Sequence, residues 1–166
     1  PDLASSDAFD LRCERAVAAT LADTLVRAGA SAADTTEWHR RRVVAGRPEW
    51  GVDMDESTLA QEANMDALQA ISYKKGCYTG QDTVARVHCR GHVNRTLRRV
   101  RCVDGVAPAR GTPLLGAESA TVGDSRSTAV DDDGQCVGIA MVRREVPDRG
   151  ELSWVDAGGR AHSVVV

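Results

Sequence analysis

The sequence predicts an α+β protein, with an α/β segment over residues 1–94 and a small all-β unit over residues 95–166. Three observations predict it. Up to about residue 94 the apolar residues recur at helical spacing between capping signals. Beyond that point they come in short runs separated by turn residues. The 166 residues, 42% of them hydrophobic, are enough for one domain or two small ones with a real core.

The elements follow in order. Phe9-Asp10-Leu11-Arg12-Cys13 alternates as a half-buried strand does. Val17, Leu21, Leu25 and Ala28 then form a helical stripe that ends at Gly29, where a left-handed cap is expected. A second helix starts at Asp34, with Glu37 three residues on, and ends at Gly46 with Pro48 beyond. Residues 49–73 are acidic and aperiodic and read as a long ordered connection, which in a compact domain is more often functional than filler. Thr79-Gly80-Gln81-Asp82 has a capping-box pattern, so a third helix runs from there to Gly91. After Asn94 come the runs around Val100 and Cys102, Leu114-Leu115, Val137 to Met141, Leu152 and Trp154, and Val164 to Val166. Turn signals at Asp104-Gly105, Asp133-Gly134, Asp148-Arg149-Gly150 and Gly158-Gly159 separate them, the spacing of a small antiparallel sandwich or barrel.

Composition excludes several classes. Lys and Arg number 21 against 24 Asp and Glu, so the chain is not a globally basic nucleic-acid binder. No apolar run approaches the roughly 18 residues of a membrane-spanning helix, so no membrane association is expected. Five cysteines at irregular spacing, with no signal-like segment before them, suggest a reducing, cytoplasmic setting. Pro1 in place of an initiator Met suggests a trimmed or partial chain.

The most informative stretch is Lys74-Lys75-Gly76-Cys77-Tyr78-Thr79-Gly80-Gln81. Two lysines, the positive end of the following helix and glycines that permit close approach all favour a thiolate at Cys77. A nucleophilic, redox or metal-binding cysteine is built this way. The same pattern also suits a small buried apolar cysteine in a glycine-rich turn.

Gly51-Val52-Asp53-Met54-Asp55-Glu56, Gln61-Glu62, Lys75-Gly76-Cys77-Tyr78-Thr79-Gly80-Gln81-Asp82, Val84-Ala85-Arg86 and Arg90-Gly91-His92 together resemble the YgfZ family. That family comprises folate-binding relatives of the glycine-cleavage T-protein, an aminomethyltransferase, acting in iron-sulfur cluster assembly or repair and in tRNA modification. The resemblance spans the chain and is strongest from Arg42 to Arg95. It implies the later part of a T-protein-like folate-binding domain followed by a small antiparallel β-barrel, with a preceding segment absent here. Departures are visible. Asp82 stands where the family motif usually ends in Glu, and Val44 replaces the Glu of the T-protein's Arg-x-Glu-Ala-Gly run, whereas Arg42, Ala45 and Gly46 match. Ser5-Ser6-Asp7-Ala8 occupies the place of a Gly-Glu-x-Gly pattern whose Glu holds the pterin.

The resemblance implies tetrahydrofolate, or a derivative, as cofactor. Arg42, Trp50, Glu62, Tyr78, Gln81 and Arg86 are the expected cofactor-binding residues, with Cys77, Lys75 and Asp53 at the reacting centre. Iron-sulfur client or assembly proteins are the expected partners. The leading expectation is an accessory factor using Cys77, and the alternative is a tetrahydrofolate-dependent aminomethyltransferase with Asp53 as acid or base.

Other residues read more plainly. His88, Cys89 and His92 lack a fourth metal ligand. Arg86, Arg90, Arg95, Arg98, Arg99 and Arg101 could hold polyglutamate carboxylates or RNA phosphates, or form a solvated basic face. With Tyr78 alone as a stacking platform, direct nucleic-acid binding is not expected. Asp131-Asp132-Asp133 reads as a hairpin tip. Trp38 and Trp154 read as core, and Trp50 as packing or pocket lining.

Overall fold

The computed structural model describes residue 9 and residues 11–166. Helix α1 spans Ala18–Arg27 behind a short 3-10 turn at Arg15–Val17, α2 spans Thr35–Val44 and α3 spans Gln81–Arg90. The strands are β1 (Arg95–Cys102), β2 (Pro113–Leu115), β3 (Thr121–Val130), β4 (Cys136–Arg143), β5 (Glu151–Val155) and β6 (Ala161–Val165). All neighbouring pairs are antiparallel, in the order β1-β4-β3-β2-β5-β6, and β6 closes on β1 as a barrel. Closure removes the open edges that a small sheet would otherwise present.

Alternation along the strands builds two cores. Val100, Cys102, Leu114, Cys136, Ala140, Val142, Leu152, Trp154 and Val164 fill the barrel. On the outer face of β4, Val137, Ile139 and Met141 join Leu97, Val43 of α2 and Ala63. Strand β4 is therefore buried on both sides, which is why its sequence, Cys-Val-Gly-Ile-Ala-Met-Val, is a continuous apolar run.

The helices form where the caps predict. Asp34 Oδ1 accepts a bond from Glu37 N at 2.8 Å to start α2, and Gly29 (φ 102°) and Gly46 (φ 70°) supply the left-handed turns after α1 and α2. Residues 49–73 form a chain of tight turns without helix or regular strand.

Three expectations need correction. Phe9 and residues 11–13 lie in no strand, Phe9 being 84% exposed, because no strand lies beside them among the described residues. Asp10 and residues 5–8 fall outside the described residues. Helix α3 begins not with a Thr79 capping box but at Gly80, a left-handed N-cap (φ 82°) without a side-chain cap, and Asp82 turns to Arg86 one turn on. Trp38 is 50% exposed, since His39, Arg42 and Val43 carry the face of α2 that meets the barrel.

Candidate functional site

The expected site residues separate into two groups. The first is buried. Arg42, at the end of α2, and Asp53, in the turns that follow, are 2% and 0% exposed. Arg42 Nη1 donates to Asp53 Oδ2 at 2.5 Å, and Glu49 N donates to the same oxygen at 2.9 Å. Ser127 Oγ of β3 donates to Asp53 Oδ1 at 2.5 Å and accepts from Arg42 Nη2 at 2.9 Å. Arg42 Nη1 also reaches the Arg47 carbonyl at 3.2 Å, and Nη2 meets His39 Nδ1 at 3.1 Å. Glu49 Oε2 stands 2.7 Å from Arg42 Nε, close enough for an ion pair although the N–H is not aimed at it. A buried charge pair persists only when its remaining donors and acceptors are matched, and here nearly all are. The knot ties α2, the loop and β3 together.

Glu62 plays a similar part. Its carboxylate accepts from Arg95 Nε at 3.0 Å and from Leu59 N at 3.0 Å, while its carbonyl accepts from Leu97 N at 2.7 Å. The hydrogen bond to Glu62 raises the Arg95 pKa above its ordinary value. Trp50 is 64% exposed, and Arg110 Nη2 donates to the neighbouring Gly51 carbonyl at 3.2 Å.

The second group is exposed. Cys77 is a free, exposed thiol in the loop before α3. Lys75 Nζ sits 4.7 Å from the centre of the Tyr78 ring, a cation over an aromatic face. Lys75 and Tyr78 line a cavity of about 200 Å³ with Ala60, Met65, Ile71 and Val84. Gln61 Nε2 donates to the Val84 carbonyl at 2.8 Å, and its Oε1 is buried without a partner. Gln81 opens α3, its N–H reaching the Tyr78 carbonyl at 3.2 Å, and Arg86 pairs with Asp82 on the helix surface. The loop thus joins Lys75, Tyr78 and Gln81 and carries Cys77 exposed, whereas Arg42, Asp53 and Glu62 are tied into the buried framework.

His88 stacks on Tyr73, ring centres 3.8 Å apart. Among the described residues no three or more His, Cys, Asp or Glu side chains gather as a metal site requires.

Ser127 and His39 were not legible as members of the buried knot, because β3 is a polar strand without an apolar run. A second buried cluster was also missed. His162 of β6 stacks on Trp154 at 4.5 Å, with Nδ1 bonded to Asp104 Oδ2 and Nε2 3.2 Å from Asp156 Oδ2. The two carboxylates raise the His162 pKa, Asp104 most. In the sequence Asp104 stood out only as a turn former, in Asp104-Gly105, and Asp156 did not stand out at all.

Fold and loop define a class: a closed six-stranded barrel with flanking helices of the T-protein type, carrying an exposed cysteine. The structure matches an aminomethyltransferase T of the glycine cleavage system from Bartonella henselae with a TM-score of 0.76. That match covers 91% of this chain and 42% of the other at 16% identity, a likeness of fold. The tRNA-modifying protein YgfZ of Escherichia coli O6:H1 is 32% identical over 147 residues, covering 86% of this chain and 45% of the relative. The human mitochondrial iron-sulfur cluster assembly factor IBA57 is 33% identical over 105 residues, 60% of this chain and 29% of the relative. No protein-family model matches. The chain belongs to the YgfZ family, related to the T-protein fold, and spans less than half the length of these relatives. Among the described residues no helix is long and apolar enough to cross a membrane.

Proposed function

We propose that the chain is the cysteine-bearing part of a folate-binding accessory protein of iron-sulfur cluster assembly or repair and tRNA modification, working in a reducing, cytoplasmic setting. Residues 1–94 are read as part of the folate-binding unit and residues 95–166 as the barrel that supports it. The observation that carries the reading is the exposure of Cys77 in the same loop whose Lys75 and Tyr78 line a cavity. An exposed thiol in a cationic loop can act as nucleophile, redox group or transient cluster ligand toward iron-sulfur client or assembly proteins. The names and functions of the YgfZ and IBA57 relatives support the same reading.

Tetrahydrofolate fits this site in part. A cavity of about 200 Å³ is smaller than the roughly 300–1,000 Å³ that encloses a whole ligand of drug size, so it takes one ring system. Tyr78, which lines the cavity, would flank that ring. Lys75, Gln81 and Arg86 would hold the acidic tail. Bound there, a reduced folate supplies a one-carbon carrier or a reducing ring. Nothing at Asp53 favours the aminomethyl-transfer alternative, for its carboxylate is fully buried against Arg42 and Ser127. Titration calorimetry with tetrahydrofolate should give a saturable heat, with Kd raised about tenfold, roughly 1.4 kcal/mol, by Tyr78→Ala. Absence of saturable binding would overturn the folate reading.

A further inference from the structure

We propose that Cys102 and Cys136 are an oxidisable dithiol that closes to a cross-strand disulfide at one end of the barrel. The β1–β4 register runs to Arg101 opposite Val137, and one step further sets Cys102, the last residue of β1, opposite Cys136, the first of β4. Both side chains point into the barrel, in one cluster with Val100 and Ala140. Both are free and buried, packed in the same core cluster. Residues directly opposite in an antiparallel pair have Cα atoms about 4.5–5.5 Å apart, inside the roughly 4.4–6.8 Å that disulfides use. The other three cysteines, Cys13, Cys77 and Cys89, are exposed and lie outside the barrel strands.

The oxidant is a small disulfide such as glutathione disulfide. The thiolate of one cysteine attacks a sulfur of the oxidant, forming a mixed disulfide and expelling one glutathione thiolate. The second cysteine, after losing its proton, displaces the other glutathione. Two protein thiols thereby become one S–S bond, and one glutathione disulfide is reduced to two glutathione thiols that carry the two protons. Burial, then the contact with Cys136, pushes the Cys102 thiol up to about 12. The pair is therefore slow to exchange while the barrel is shut, and reacts when the ends of β1 and β4 part. The bond would lock those strands without using Cys77.

The test uses the full chain and a Cys13→Ser/Cys77→Ser/Cys89→Ser variant, which changes exposed positions only. Each is incubated with glutathione disulfide, alkylated and digested without reduction. A peptide linking Cys102 to Cys136 is expected in both, restored to two alkylated cysteines by dithiothreitol and accompanied by a higher thermal midpoint before reduction. Recovery of Cys102 and Cys136 as free thiols, under conditions where Cys77 has become a mixed disulfide and even after brief partial unfolding and refolding in the oxidant, would overturn the proposal. So would stable glutathionylation of either core cysteine without closure.

Discussion

Arg42 Nη1 and Asp53 Oδ2 lie 2.5 Å apart, and Ser127 Oγ, donating to Asp53 and accepting from Arg42, locks the pair to the barrel wall. The sequence singled out Arg42 as a cofactor-binding and Asp53 as a reacting-centre candidate, and the pair sits where it fixes the loop on the barrel. Asp53→Asn removes the fully buried counter-ion of Arg42, leaving only the half-exposed Glu49 carboxylate beside its Nε, and should cost about 3–5 kcal/mol of stability. Urea denaturation measures this. Pairing it with Arg42→Met should recover part of the loss, whereas a stability change below about 1 kcal/mol for Asp53→Asn would contradict a structural role for the pair.

His162 links stability to pH. Asp104 and then Asp156 raise its folded pKa, so its contribution is fully present below the unfolded value and is lost as pH rises through the raised folded one. The carboxylate of Asp104 is lowered chiefly by His162, and that of Asp156 by the Arg160 N–H and then His162. Their contribution is present above the ordinary carboxylate range and is lost as pH falls through the lowered values. Thermal midpoints should therefore decline from mildly acidic toward alkaline pH, and His162→Gln should flatten that decline. An unchanged slope in His162→Gln would refute the linkage.

Thiol reactivity should sort by exposure. Cys13, Cys77 and Cys89 are exposed, and Cys102 and Cys136 are buried. Iodoacetamide in the native state should modify the first three and spare the last two, which react only on unfolding. Mass spectrometry of timed digests reads this directly. Native labelling of Cys136 as fast as Cys89 would mean that the barrel end is open.

The β3–β4 pairing depends on a glycine. A Cβ at Gly123 would stand 2.3 Å from the Met141 carbonyl oxygen and 3.1 Å from Val142 Cα. These are backbone atoms of the partner strand, which cannot swing aside as a side-chain tip can. Gly123→Ala should destabilise by about 1–3 kcal/mol through overpacking. Gly29→Ala, with no atom near its Cβ but a φ of 102°, should cost through backbone strain alone. Equal stability of Gly123→Ala and the parent chain in urea would contradict the register.

Legibility in the sequence follows the strength of local signals. Asp34 with Glu37, and the glycines at 29 and 46, mark α1 and α2 because capping and left-handed turns are set by neighbouring residues. The β4 run was plain because burial on both faces leaves no polar position in it. Strand β3 was not, since Asp124, Ser125 and Ser127 are held by long-range pairing with β4, around an unpaired Arg126, and by the contact of Ser127 with α2, which no local pattern records. The same holds for the site. The Lys75 to Gln81 motif stood out as a contiguous string, whereas the partnership of Arg42 with Ser127 spans 85 residues.

The central claim is that the exposed Cys77 thiol performs the chemistry while the Arg42–Asp53 pair only supports it. The most direct measurement is the activity of an iron-sulfur enzyme in cells lacking their own YgfZ and supplied with the protein carrying Cys77→Ala or Cys89→Ala. The account predicts loss of rescue by Cys77→Ala, at unchanged protein level and thermal midpoint, with full rescue by Cys89→Ala. Full rescue by Cys77→Ala would contradict it.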